Sequence, residues 1–230
     1  MSVTQTETIA VIHNGFSTKF GVPRQSGLDT STVSTIVMEE KYRVPEAFRG
    51  IEEFSHLWIL WLFDADKSGT EDWSPTVRPP KLGGNRRVGV FASRSPNRPN
   101  HIGMTAVKLL SSGIDPLLGP VLRVTGADMT DGTRIIDIKP YIPYADSVPE
   151  ASGGYAVTGE RRLSVISSSD ADLAMPEDVR EAVRELISLD PRPGYQSSPD
   201  RVYYMEYSGW EIGFTVDRDT ADIRFVRRKS

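Results

Sequence analysis

The residues best suited to chemistry lie in one short segment, Arg94-Ser-Pro-Asn-Arg-Pro-Asn-His-Ile-Gly103. It carries two guanidinium groups, from Arg94 and Arg98, on a loop in which Pro96 and Pro99 each fix φ at about −65°. Guanidinium groups held in place suit carboxylates and phosphates, which they bind through paired hydrogen bonds. The segment therefore predicts an anion site, although the same composition also describes a solvated surface turn.

A basic block surrounds this loop. Between Trp73 and Ile114 there is no Asp or Glu. The cations of this stretch are Arg78, Lys81, Arg86, Arg87, Arg94, Arg98 and Lys108. Because the whole chain has a net charge of −4, the block is a local feature and not part of a general coat for nucleic acid. It is typical either of a solvated face or of a contact surface for a phosphate-bearing partner.

Composition excludes several classes of site. The chain has no cysteine, which rules out disulfides, thiolate catalysis and thiolate-bound zinc or iron–sulfur clusters. The histidines His13, His56 and His101 are too scattered to predict a metal site, so we expect no metal. Ser55-His56 adjoins a strongly apolar run and does not predict a hydrolase dyad, and no Walker loop, nucleophile elbow or dinucleotide fingerprint occurs.

The sequence offers no membrane or export signal. No segment approaches the ~20 consecutive apolar residues that cross a bilayer, and the first residues lack the pattern of a signal peptide. We therefore expect a soluble, cytoplasmic protein.

The elements that must position the loop are mostly strands. Short segments rich in apolar and β-branched residues predict strands at Thr8–His13, Thr30–Met38, Phe54–Phe63, Arg87–Ser93, Ile102–Leu110, Pro120–Thr125 and Arg134–Ile138. Phe54–Phe63 is nearly all apolar, which predicts burial on both faces. Asp131-Gly132 predicts a tight hairpin between the last two strands. This pattern favours a mainly β fold with a small closed or nearly closed barrel.

The C-terminal part predicts a small α+β domain. Pro176 precedes an apolar stripe of helical period that stops at Asp190-Pro191. Strands are predicted at Arg161–Ile166, Val202–Tyr207, Trp210–Val216 and Asp222–Val226. We place the barrel domain at residues 1–156 and the C-terminal domain at residues 157–230.

Several separate motifs resemble the TsaA-like family. They are Phe20–Leu28, Arg49–Leu60, Pro75–Asn85, Arg94–Gly103, Asp131–Tyr141, Pro143–Asp146 and Leu189–Tyr195. Bacterial members of that family include S-adenosylmethionine-dependent methyltransferases that act on N6 of N6-threonylcarbamoyladenosine (t6A) at position 37 of tRNA. The resemblance implies a β-barrel enzyme that uses S-adenosylmethionine, binds the tRNA anticodon stem-loop and forms a homodimer.

The resemblance also assigns site residues. It places cofactor contacts on Gln25, Ser26, Gly27, Phe63, Asp64, Arg94, Met104, Met129, Thr130, Asp131 and Gly132. We expect Arg94 to pair with an anionic group of the cofactor and backbone groups of residues 129–132 to hold the adenine. Asp64 and Tyr144 are candidate helpers in deprotonating the acceptor. For tRNA, Arg24 or Arg98 is expected at the threonyl carboxylate, and Arg78, Lys81, Arg86 and Arg87 along the phosphates.

Three residues depart from the family pattern. Asn97 stands where an aromatic residue is usual, His101 where proline is usual and Asp64 where histidine is common. The first two are expected to loosen the loop, and the third to alter acceptor chemistry or cofactor contacts. Two alternatives therefore stay open: a non-catalytic barrel that binds RNA or a nucleotide, and a methyltransferase for another small molecule.

Overall fold

The structure is a computed structural model that describes residues 4–63, 73–83, 85–156, 162–168, 174–193 and 198–229. Its strands are β1 (Ala10–His13), β2 (Val33–Met38), β3 (His56–Leu62), β4 (Thr76–Val77), β5 (Val88–Gly89), β6 (Ile102–Asp115), β7 (Gly119–Thr125), β8 (Arg134–Pro140), β9 (Ser164–Ser167), β10 (Tyr203–Tyr207), β11 (Trp210–Asp217) and β12 (Thr220–Arg228). Its α-helices are α1 (Pro143–Asp146) and α2 (Glu177–Ser188). Short 3-10 helices include Glu40–Tyr42, Pro45–Phe48, Ile51–Glu53, Pro80–Leu82, Val90–Ala92 and Gly154–Ala156.

The first part of the chain forms a closed barrel with the strand order β1-β2-β7-β6-β3-β8. Antiparallel pairing of β1 with β8, in which Ala10 lies opposite Ile135, closes the ring. Ile12, Ile59 and Leu122 fill the interior at 0% exposure. The predicted mainly β fold with a closed barrel is confirmed.

Two of the predicted strands differ in detail. β3 alternates buried and partly exposed residues, so burial on both faces was wrong: one face lines the barrel interior and the other points outward. The strand predicted at residues 87–93 is also wrong. β5 has only two residues, and a 3-10 helix, Val90–Ala92, follows it directly.

The hairpin predicted around Asp131-Gly132 does not form. β7 pairs with β2 and β6, whereas β8 pairs with β1 and β3. Gly132 has the positive φ of 77° that a turn uses, but residues 126–133 form a longer loop between strands that are not neighbours. Closing the barrel requires β8 between β1 and β3, and this non-local constraint overrides the local turn signal.

The C-terminal part is the predicted α+β unit. Its sheet has the order β10-β11-β12-β9, and α2 contributes Ala182, Val183 and Leu186 to the core on that sheet. Phe16, from the loop after β1, is also buried in this core. The predicted boundary at residues 156 and 157 adjoins residues 157–161, which lie outside the described residues, so it stays a prediction.

The described ranges contain neither a candidate membrane-spanning helix nor a candidate metal site. None of the helices there is long and apolar enough to span a membrane. No group of three or more His, Cys, Asp or Glu side chains in those ranges is arranged to hold a metal ion.

Candidate functional site

A cavity of about 250 Å³ lies at the end of the barrel where β3 ends and β8 begins. Predicted cofactor residues that line it are Phe63, Met129, Thr130, Asp131 and Gly132. Further lining residues include Lys19, Val22, Pro23, Trp61, Pro96 and Asp128. The antiparallel register brings the end of β3 beside the start of β8, with Trp61 opposite Ile135. Barrel closure therefore assembles residues that are far apart in sequence.

A hydrogen-bond chain links two side chains that line this cavity, Trp61 and Asp128. The Trp61 Nε1–H donates to Thr105 Oγ1 at 2.9 Å, and the Thr105 hydroxyl donates to Asp128 Oδ1 at 2.5 Å. Burial raises the pKa of Asp128, while the Thr105 hydrogen bond and the charge of Arg94 partly offset that rise. A carboxyl group of this kind is a candidate proton acceptor.

Gly103 makes room for the indole of that chain. A Cβ at this position would lie 2.3 Å from Trp61 Cε2, so glycine allows the ring to cross the backbone. Sequence reasoning missed Trp61, Thr105 and Asp128. The available signal was the position of Asp128 directly before Met129 and of Trp61 two residues before Phe63.

The loop of residues 126–133 is held by the loop that follows β1. Asn14 donates from Nδ2 to the Met129 carbonyl at 3.0 Å and from its backbone N–H to Asp131 Oδ1 at 2.9 Å. The N–H groups of Asp131 and Gly132 donate to the carbonyls of Phe16 and Ile12, each at 2.9 Å. These two backbone donors, like the Met129 carbonyl, are therefore engaged within the protein.

A second, more open cleft of about 780 Å³ adjoins the first cavity, and Pro96 lines both. Its lining includes Arg24, Gln25, Arg78, Phe91, Arg94 and Tyr155. The Arg94 Nη1–H donates to Gln25 Oε1 at 2.7 Å, which joins two predicted cofactor residues across the cleft. The predicted cofactor set is thus divided between two neighbouring cavities.

Internal hydrogen bonds hold the Arg94–Gly103 loop in shape. The Arg98 Nη1–H donates to the Ser93 carbonyl at 3.2 Å, and His101 Nδ1 lies 2.8 Å from the Pro96 carbonyl oxygen. His101 has a φ of 50°, which the fixed ring of proline could not adopt. Asn97 donates its N–H to Ser95 Oγ at 3.2 Å. Asn97 and His101 therefore both take part in hydrogen bonds within the loop, and the expected loosening stays a prediction.

Other predicted cofactor and catalytic residues lie elsewhere. Asp64 is outside the described residues. Tyr144 is 91% exposed on α1 and lines neither cavity. Met104 is 54% exposed on the outer face of β6, opposite Leu60. Ser26 and Gly27 belong to a turn that rests on the 126–133 loop, because the Gly27 N–H donates to the Gly126 carbonyl at 3.2 Å.

The predicted tRNA-binding cations fall into two groups. Arg24 and Arg98 are used internally: the Arg24 guanidinium donates to the carbonyls of Asp190 and Arg192, and Arg98 braces its own loop. Arg86 and Arg87 are exposed, and the Arg87 Nη1–H donates to Thr76 Oγ1 at 2.6 Å. Arg78 lines the open cleft, whereas the side chain of Lys81 is not among those that the structure describes.

The C-terminal sheet reaches the site through the turn between β10 and β11. The Ser208 N–H donates to the Gly15 carbonyl at 2.8 Å, and the rings of Phe16 and Tyr207 meet edge to face at 5.2 Å. The Phe16 carbonyl also accepts the Asp131 N–H, so Phe16 contacts both the C-terminal sheet and the loop of residues 126–133 that lines the cavity.

Replacing Gly15 with alanine is expected to disrupt the contact between the loop after β1 and the turn between β10 and β11. A Cβ there would lie 2.6 Å from both Ser208 Oγ and Tyr207 Cε2, and Tyr207 is only 6% exposed. We expect the free energy of unfolding to fall by about 1–3 kcal/mol, as is usual for overpacking. Thermal denaturation measures the effect. Gly113→Ala is the matched control, because a Cβ there meets nothing within 4 Å, and equal stability of the two variants would contradict the argument.

Comparison with known proteins covers almost the whole chain. Residues 11–147 match the model of the tRNA-methyltransferase O N-terminal domain, and residues 161–229 match that of the TrmO C-terminal domain. The tRNA (adenine(37)-N6)-methyltransferase of Escherichia coli K12 is 39% identical over 98% of this chain and 97% of its own. A putative S-adenosylmethionine-dependent methyltransferase of Pseudomonas aeruginosa is 37% identical, covering 85% of each chain. The crystal structure of TrmO from that organism aligns with a TM-score of 0.79 at 29% identity, over 99% of this chain and 98% of that one.

Proposed function

The chain belongs to the tRNA-methyltransferase O family, and we propose that it transfers a methyl group from S-adenosylmethionine to N6 of adenosine 37 in tRNA, with t6A as the acceptor base. The observation that supports this most is the meeting of residues from four separate segments of the chain at one end of the barrel. Gln25, Phe63, Arg94 and residues 129–132 surround two adjoining cavities there. The enzyme would act in the cytoplasm, where its tRNA substrate is found.

The chemistry of the lining fits S-adenosylmethionine. The Arg94 guanidinium suits its carboxylate. Trp61 and Phe63, whose ring centroids lie 4.3 Å apart, offer an apolar wall for the adenine. A cavity of about 250 Å³ is small for a whole ligand of this size, so the ligand would extend from it toward Arg94. The residues that would hold it are Gln25, Ser26, Gly27, Phe63, Arg94, Met129, Thr130, Asp131 and Gly132.

Methyl transfer mainly requires that the acceptor nitrogen, the methyl carbon and the sulfur be aligned, and that a group accept the proton that the nitrogen loses. When bound, S-adenosylmethionine supplies a methyl group on a sulfonium that departs as a neutral thioether. The acceptor N6 is urea-like with a delocalised lone pair, so it must lose its proton as the new bond to carbon forms. We assign acceptance of that proton to the carboxylate of Asp128, with Thr105 holding the carboxylate in place through its hydroxyl. This assignment replaces Tyr144, which lines neither cavity, while Asp64 stays a prediction.

The exposed cations near the cleft would guide the tRNA. Arg86 and Arg87 lie on the segment without acidic residues, which also contributes Arg78 to the lining of the open cleft. Contacts of this kind follow phosphates, and the affinity for tRNA should fall as salt concentration rises.

A second subunit would cover an apolar face of the barrel. Pairs of outward residues on β3 and β6, Leu60 with Met104 and Leu62 with Ile102, lie opposite each other in the register. A homodimer formed through this face would bury Met104 and could bring it to the cofactor of the other subunit, in agreement with its predicted role.

The proposal is tested with methyl-labelled S-adenosylmethionine and two tRNA pools, one with and one without the threonylcarbamoyl group. We expect label on N6-methyl-t6A in the first pool and none on adenosine 37 in the second. Label on unmodified adenosine would reject t6A as the acceptor. Absence of a thermal shift with S-adenosylmethionine would favour a non-catalytic RNA-binding barrel, and labelling of a small molecule alone would favour the other alternative.

A further inference from the structure

The open cleft beside Arg94 combines an exposed aromatic ring with an uncommitted cation. Phe91 is 76% exposed and lines the cleft, on the 3-10 helix Val90–Ala92. Val90 is only 1% exposed, so it anchors the short helix while the next side chain points outward. Exposing most of a phenyl ring leaves apolar area in water that burial would otherwise remove. Such a ring is typical of a surface that a ligand covers.

The ring is also held in a defined position. Phe91 stacks on Trp73 with ring centroids 6.4 Å apart and an interplanar angle of 23°, and Trp73 is itself 47% exposed. Tyr155 lines the same cleft, with its hydroxyl donating to the Ala92 carbonyl at 3.0 Å. A flat base that entered the cleft would therefore meet aromatic surfaces that are already in place. Stacking on aromatic side chains is the usual way in which proteins hold a base that has left the RNA stack.

The arginines of the cleft differ in what they already bind. Arg24 donates to two backbone carbonyls, and Arg94 donates to Gln25. Arg78 makes no side-chain hydrogen bond or ion pair with any residue in the described ranges. Its guanidinium can therefore accept an anion without first breaking a bond within the protein.

We propose that Phe91 stacks on the adenine of the acceptor nucleoside and that Arg78 pairs with the carboxylate of its threonyl group. The inference rests on the proposed function and adds the subsite that reads the modified base. It differs from the earlier expectation, which gave the carboxylate to Arg24 or Arg98 and used Arg78 for phosphates. Because the cleft adjoins the inner cavity at Pro96, a base held there lies next to the proposed cofactor site.

The test of Arg78 uses two anticodon stem-loops with t6A, one with a free threonyl carboxylate and one with that carboxylate converted to an amide. For the natural protein we expect kcat/KM to be at least about tenfold higher with the carboxylate, since guanidinium–carboxylate pairs are strong hydrogen bonds. Arg78→Ala should treat the two substrates alike, and Arg78→Lys should recover part of the difference. A variant Arg78→Ala that keeps the full discrimination would overturn the assignment.

The test of Phe91 compares Phe91→Ala, Phe91→Tyr and Tyr204→Ala. We expect Phe91→Ala to lower kcat/KM for the carboxylate stem-loop by about 10- to 100-fold, the range for loss of one stacked base. Phe91→Tyr should restore it, and neither change should alter the melting temperature or S-adenosylmethionine affinity. Tyr204, 55% exposed on β10, is the matched aromatic control. Equal losses of kcat/KM from Phe91→Ala and Tyr204→Ala, or no loss from Phe91→Ala, would reject the subsite. Failure of the natural protein to methylate the stem-loop would instead reject the proposed function itself.

Discussion

Replacing Arg94 with alanine is expected to weaken S-adenosylmethionine binding by about 30- to 100-fold, or about 2–3 kcal/mol. The guanidinium donates to Gln25 and lies in the cleft next to the inner cavity, where it would meet the carboxylate of the cofactor. Arg94 is exposed in the free protein, so its loss removes little that the fold needs. The expected result is therefore a loss of affinity with only a small fall in melting temperature at neutral pH, where Asp128 loses a nearby positive charge, measured by calorimetric titration and thermal denaturation.

Arg94 also influences Asp128. The positive charge lowers the pKa that burial raises, so Arg94→Ala should shift that pKa further upward. If Asp128 accepts a proton during turnover, the acidic limb of the pH–rate profile should move to higher pH in the variant.

Two control variants separate the role of charge from that of shape. Arg94→Lys keeps the charge and loses the forked donor, so we expect an intermediate affinity. Arg49→Ala removes an exposed arginine from the turn before β3, at the other end of that strand, and should leave affinity unchanged. Unchanged affinity in Arg94→Ala would refute the assigned contact.

The sequence predicted the barrel well because its signal is repeated along the chain. Strand propensities in several separate segments all indicated a mainly β fold. The Arg94–Gly103 loop was predicted as a site from its own composition and from its resemblance to a family. Closure then brought Phe63 and Gly132 to one cavity through the β3–β8 register, which local patterns could not specify. For the same reason the hairpin at Asp131-Gly132 was wrong, since a turn signal describes neighbours in sequence and barrel closure joins strands that are distant in it.

The missed residues are those whose chemistry is created by burial. Asp128 follows Ala127 and precedes Met129, with no motif to mark it. Its perturbed pKa depends on Thr105, on Arg94 and on the surrounding barrel wall. Arg24 shows the converse case: a cation read as available for substrate is committed to two carbonyls of the C-terminal part. Such commitments depend on tertiary contacts and leave no pattern in the sequence.

Replacing Asp128 with asparagine is expected to lower kcat by about 100-fold or more, the contribution typical of a general base. Asparagine has nearly the same shape, and its Oδ1 can still accept the Thr105 hydroxyl, so the wall of the cavity should persist. The measured quantity is single-turnover methylation of a t6A stem-loop at saturating S-adenosylmethionine, which separates the chemical step from cofactor binding. Asp115→Asn is the control for loss of a carboxylate. The Asp115 carboxylate lies at an exposed turn, where its Oδ1 accepts hydrogen bonds from the backbone N–H groups of Leu117 and Leu118.

The same substitution should stabilise the protein at neutral pH. Because burial raises the pKa of Asp128 above its ordinary value of 3.8, the folded state binds that proton more tightly than the unfolded chain does. Stability is therefore lost as the pH rises from that ordinary value through the raised one, and at higher pH the natural protein carries the full cost of a buried charge. Asp128→Asn removes the cost, so its melting temperature should exceed that of the natural protein at pH 8 and approach it in acid. Asp115 has a lowered pKa, so Asp115→Asn should change stability in the opposite direction. An active Asp128→Asn would remove Asp128 from the proposed proton path. A stability difference from the natural protein that does not depend on pH would contradict the raised pKa of Asp128.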